Sequence, residues 1–72
     1  MREENLMHLA AILEDDPAVA AVNIMVDPLG RDQVIVIHFK DGTAETLNCY
    51  GYRDTYVLFK IGRIFHLKGE FN

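Results

Sequence analysis

The stretch "QVIVIHF", residues 33–39, followed at once by "KDGT", constrains this chain more than any other feature. Seven residues that are β-branched, aromatic or otherwise apolar at almost every position form a strand, and apolar character on both faces suits the centre of a sheet. Asp-Gly between two apolar runs is a strong hairpin signal, so "TAETLNCY" is read as the returning strand. Two turn geometries compete. A bulge at Gly42 places Ile35, Ile37 and Phe39 on one face with Leu47 and Cys49. A tight two-residue turn instead sets His38 opposite Glu45. The bulge gathers the apolar side chains onto one side and is the expected form.

The strand before this hairpin is "VAAVNIMVD", in which Val22, Ile24 and Val26 alternate with Asn23 and Asp27. "DPLGRD" supplies a turn, with Pro28 in its second position and Gly30 near its end. Upstream, residues 3–15 repeat Leu6, Leu9, Ala10 and Leu13 at helical spacing, with Glu4, His8, Ala11 and Asp15 on the other side. Glu3 and Glu4 suit a helix amino terminus, and Asp16-Pro17 stops the helix because the residue before proline is pushed out of helical geometry.

Gly51 ends the last strand, and Asp54 is expected to cap a second helix starting at Thr55. Val57, Leu58, Ile61, Ile64 and Phe65 fall within an arc of about 120°, a normal core stripe. Gly69 falls where a left-handed cap is expected. A fourth strand through "TYVLF" fits less well, because alternation fails at Leu58, Ile61 and Ile64. The predicted fold is therefore α+β: a single small domain over residues 1–72, in α-β-β-β-α order. It has a three-stranded antiparallel meander with two helices packed on one face.

At 72 residues the chain is near the lower limit for folding without a disulfide or metal, and burying a further apolar face in a second copy would stabilise it. A homodimer is expected on that ground. The single cysteine, Cys49, forbids an internal disulfide and suits a reducing compartment. No apolar run is long enough to span a bilayer, and "MREENLMHLAAILEDD" has acids where a secretory signal would have bases. A cytoplasmic location with no membrane partner is expected.

Charge is unevenly distributed. One base against six acids leaves residues 1–30 at −5, whereas six bases against five acids leave residues 31–72 at +1. The net charge of −4 weighs against non-specific nucleic-acid binding, which depends on neutralising phosphates. It leaves room for a basic face and for an acidic face that meets a basic partner.

Motifs for chemistry are missing from the sequence. His8, His38 and His66 have no helical ligand spacing among them, and no Cys-x-x-Cys pair exists, so no metal site is expected. Cys49 lies in a strand among apolar residues, where a small core residue is the expected role rather than a nucleophile. The acid pairs Glu3-Glu4 and Asp15-Asp16 sit at helix ends and are explained by the helix dipole and helix termination. No glycine-rich phosphate loop is present. The chain is expected to be non-enzymatic, with no catalytic residues and no cofactor.

Function is therefore sought on the outer side of the second helix, where Tyr56, Phe59, Lys60, Arg63 and His66 lie opposite the core arc. Two rings, two cations and a histidine are an unusual solvent face, and interfaces are enriched in tyrosine, phenylalanine and arginine. The alternative is that these rings pack on the "NCYGY" loop, with Phe71 folding back over the helix. The first functional expectation is a protein-interaction module, a small regulator or inhibitor of phage or mobile-element type, with an unknown protein partner. The alternative is a nucleic-acid-binding domain using the same aromatic and basic face. The α-β-β-β-α order is similar to that of double-stranded-RNA-binding domains. In that family a lysine cluster opens the second helix; here Asp54 and Thr55 stand there.

Overall fold

The computed structural model describes residues 1–27, 29 and 32–67. Helix α1 (Glu3–Glu14) is followed by strands β1 (Val19–Val26), β2 (Gln33–Phe39) and β3 (Ala44–Asn48), then by helix α2 (Asp54–Leu67). The strands form one antiparallel sheet in the order β1-β2-β3. The predicted α+β architecture is the one observed, with both helices on one face of the sheet. The expected cap at Gly69 and the folding back of Phe71 lie outside the described residues, as do Pro28 and Gly30 of the first hairpin turn.

The β2–β3 turn takes the bulged form. Phe39 donates its N–H to the Thr43 carbonyl (2.8 Å) and accepts from the Gly42 N–H (3.1 Å). Gly42 holds φ at +90°, a region that side chains other than glycine's rarely enter. The Asp41 carboxylate accepts from both the N–H and the hydroxyl of Thr43, at 2.9 and 2.6 Å. The resulting register pairs Ile35 with Leu47 and Ile37 with Glu45. It places Ile35, Ile37, Phe39, Leu47 and Cys49 together in the core.

β1 completes that face through a bulge not anticipated in the sequence. Its register against β2 shifts between Val19 and Ala21. Val19 therefore reaches the core opposite Phe39, while Val22 and Ile24, opposite Ile37 and Ile35, stay on the same face. Without the extra residue, Val19 and Val22 would point to opposite sides. The entry to β1 is a turn across Asp16-Pro17-Ala18-Val19. Val19 N–H donates to the Asp16 carbonyl (3.0 Å), and the Asp16 carboxylate accepts from Ala18 N–H (2.9 Å). Asp27 N–H bonds the Asp32 carbonyl (2.9 Å) at the far end, closing the first hairpin.

Leu6, Leu9, Ala10 and Leu13 of α1 are buried, as their spacing predicts. From α2 the buried residues are Val57, Ile61 and Phe65, with Ile64 half-buried. Phe65 meets Phe39 edge-on, with ring centroids 5.6 Å apart, which ties the end of α2 to the central strand. Two expectations for α2 need correction. The helix begins at Asp54 rather than Thr55: Val57 N–H reaches the Arg53 carbonyl (3.1 Å), and the Asp54 carboxylate accepts from Asn5 of α1 at 3.2 Å. Leu58, assigned to the core stripe, is 51% exposed, because it lies at the edge of the arc where α1 and α2 stand apart.

Ile37→Val is expected to lower folding stability by about 1 kcal/mol through loss of one buried methylene. Gly42→Ala should cost about 1–2 kcal/mol by forcing a side chain into positive φ. Urea unfolding measures both; a Gly42→Ala midpoint equal to wild type contradicts the bulged turn.

Candidate interaction surface

The loop from β3 to α2 sets where α2 starts. Tyr52 N–H closes a turn onto the Cys49 carbonyl (3.4 Å), with Gly51 at φ +78° in its third position. That turn geometry requires a positive φ there, hence glycine. Asn48 steadies the same turn by accepting from Tyr50 N–H at 3.0 Å. The turn leaves Tyr52 beside the first turn of α2, where its ring stacks on Tyr56, centroids 4.7 Å apart and planes 20° from parallel.

The five residues singled out on α2 share its outward side but differ in surroundings. Tyr56 remains 42% exposed despite its stack on Tyr52. Phe59 is 63% exposed. Arg63 and His66 are exposed and Lys60 is half-buried. Among the described residues, Lys60 and Arg63 enter no ion pair. Tyr56 thus has the loop partner that one reading required, whereas Phe59 projects into solvent.

Two parts of the surface escaped sequence reasoning. The first is an open groove between α1 and α2. The Asn5–Asp54 hydrogen bond joins the helices at their amino-terminal ends, and from there they run side by side in the same direction. Leu9, Ile12 and Leu58 line two adjoining hollows of about 290 and 220 Å³, with Gly62 and Asp16 toward the far end. Ile12 is 68% exposed. Its position off the Leu6–Leu13 stripe was the available signal: an isoleucine on the solvent side of a helix is out of place. The second is the open face of the sheet. The strand register groups Ala21, His38 and Ala44 in one row, then Asn23, Val36 and Thr46, then Met25, Val34 and Asn48. Those nine strand positions hold no carboxylate, lysine or arginine, and Asn23 Nδ2 meets His38 Nε2 at 3.2 Å across them.

Cys49 is fully buried, with Sγ 3.9 Å from the Leu47 carbonyl. Burial pushes its thiol pKa above the ordinary 9.0, and the positive amino terminus opposes this more weakly. A buried thiol of that kind stays protonated near neutrality and acts as a small apolar residue. Among the described residues, no group of three or more His, Cys, Asp or Glu side chains is placed to hold a metal ion. Nor is any helix among them long and apolar enough to cross a membrane. No protein-family model, curated protein or solved structure matches the chain.

Two measurements check this geometry. A double-mutant cycle over Tyr52→Ala and Tyr56→Ala should give a coupling of about 0.5–1.5 kcal/mol, as expected for stacked rings; additive losses contradict the stack. The raised Cys49 pKa has a definite sign. Below about pH 9 the thiol is protonated in folded and unfolded chains alike; above it the unfolded thiol ionises first, so the folded state loses stability. Wild type should therefore lose stability relative to Cys49→Ala as pH climbs above about 9. A constant difference over that range contradicts the burial of the thiol.

Proposed function

We propose that this chain is a non-enzymatic protein-interaction module, a small regulator or inhibitor of phage or mobile-element type, that docks on a protein partner through the outward face of α2. The observation that carries the reading is Phe59, a phenylalanine 63% exposed in a chain small enough to need its rings for core. Removing such a ring from water on binding is worth about 1.5–3 kcal/mol. Beside it stand Tyr56 and Arg63, residue types that anchor interfaces, with Lys60 and His66 on the same side of the helix. A buried free thiol fits a reducing, cytoplasmic setting.

A nucleic-acid-binding role for the same face is supported by one observation, the exposed Tyr52–Tyr56 stack beside Arg53. Rings next to cations form platforms for single strands. The chain's net charge of −4 opposes it, since phosphate neutralisation supplies most of such affinity.

Affinity capture from host extract, followed by measurement of the dissociation constant with the purified partner, tests the main reading. Phe59→Asp with Arg63→Glu should weaken binding by about a hundredfold or more, whereas Cys49→Ser should not. Equal binding by the doubly substituted protein would sink the proposal. A retained oligonucleotide, with affinity falling steeply as salt rises, would favour the alternative.

A further inference from the structure

We propose that the free edge of β1 receives β1 of a second copy of this chain, antiparallel and about a two-fold axis at Ile24, joining two sheets into one of six strands. This goes beyond the binding role proposed for α2 and uses a different surface. Phe39 N–H bonds the Thr43 carbonyl and Cys49 N–H bonds the Gln33 carbonyl, so Gln33, Ile35, Ile37 and Phe39 direct their backbone groups to β3. Val34, Val36 and His38 therefore direct theirs to β1, where their register partners are Met25, Asn23 and Ala21. Alternation then turns the N–H and C=O of Val22, Ile24 and Val26 outward, away from the sheet. Among the described residues, none bonds these groups.

Edge strands are normally kept from pairing by shortness, charge, proline or a bulge. β3 has five residues and includes Glu45. β1 has eight, with neither charge nor proline. Its bulge lies between Val19 and Ala21, which leaves Val22–Val26 regular. The side chains of the same three residues add an independent observation. Val22, Ile24 and Val26 share the helical side of the sheet, and each is only half-buried. Val22 and Ile24 pack on the core, so the core stays partly open along this edge.

The outward groups call for a strand, and the sequence of β1 matches its own copy. An axis at Ile24 sets Ile24 opposite Ile24 and Val22 opposite Val26 twice, all β-branched pairs, with every outward N–H meeting a C=O. Asn23 falls opposite Met25 and Ala21 opposite Asp27, so no two acids are opposed. Moving the axis to Asn23 pairs Val26 with the bulged Ala20. Moving it to Met25 pairs Val22 with Pro28, which has no N–H. The Ile24 axis satisfies all three residues, closes the half-open core of each copy on the other, and makes the interface isologous.

Sedimentation equilibrium of the full purified chain from micromolar to millimolar concentration, with amide hydrogen exchange over the same range, tests this. The expected result is a reversible dimer of about twice the 8.2 kDa chain mass. The amides of Val22, Ile24 and Val26 should exchange fast in dilute monomer and slow at least about tenfold as the dimer fills. Ile24→Lys or Ile24→Glu places like charges face to face, and each should raise the dissociation constant at least about tenfold. An equimolar mixture of the two variants should dimerise again, because lysine then meets glutamate.

A chain that stays monomeric at millimolar concentration overturns the proposal. So does a dimer in which those three amides exchange as in the monomer, or one that slows Ala44, Thr46 and Asn48 instead, which places the pairing on β3. Amides already slow in dilute monomer overturn it too, since another part of the same chain then lies on the edge. A mixture that fails to restore the dimer refutes the axis at Ile24. If either variant loses its native far-UV circular dichroism, the wild-type exchange pattern decides alone. These outcomes are independent of partner capture through Phe59 and Arg63, so either reading can fail without the other.

Discussion

Phe39 donates to Thr43 and accepts from Gly42, and this pair of bonds holds β2 and β3 in the register on which the rest of the structure is built. With Gly42 at positive φ, the extra residue in the turn sends Leu47 and Cys49 to the same face as Ile35, Ile37 and Phe39. A slip of one residue would carry the β3 pair to the opposite face and leave α2 with half a sheet to pack on. The Phe39–Phe65 contact and the turn from Cys49 into α2 follow from that register. So does the position of Tyr52 against Tyr56.

A second constraint comes from size. Two helices on a three-stranded sheet supply one apolar layer, and a chain this short cannot also seal the seam between its helices. The core closes around Leu6, Ile35, Ile37 and Val57, each fully buried. Beyond it, the helices meet at the Asn5–Asp54 bond and leave Ile12, Leu58 and Gly62 along an open seam. Ile12, Leu58 and Phe59 are exposed on the helical layer, and Met25 is exposed on the open face of the sheet. The nine strand positions on the sheet's other face are largely small or aliphatic, with His38 as their one ring.

Much of the fold was legible because its signals are local. Leucine spacing marks α1, the apolar run marks β2, and Asp-Gly marks the bulged turn; Val57, Ile61 and Phe65 mark the buried stripe of α2. The candidate surface was legible only in part. The outward position of Tyr56, Phe59 and Arg63 follows from helical periodicity. The stack of Tyr52 on Tyr56 depends on how the Gly51 turn directs the chain, and periodicity carries no information about that. The Ala20 bulge escaped notice because two adjacent alanines fit either face of a strand.

Taken by itself, the sequence determined the element order, the hairpin register and the side of each helix that faces the sheet. Those depend on the periods of helix and strand and on which backbone angles glycine and proline permit. Tertiary structure alone decided that Leu58 is exposed and that Ile12 and Gly62 border the same groove as it does. That outcome depends on the distance between α1 and α2, which is set by how each helix packs on the sheet beneath them. No stretch of either helix encodes it.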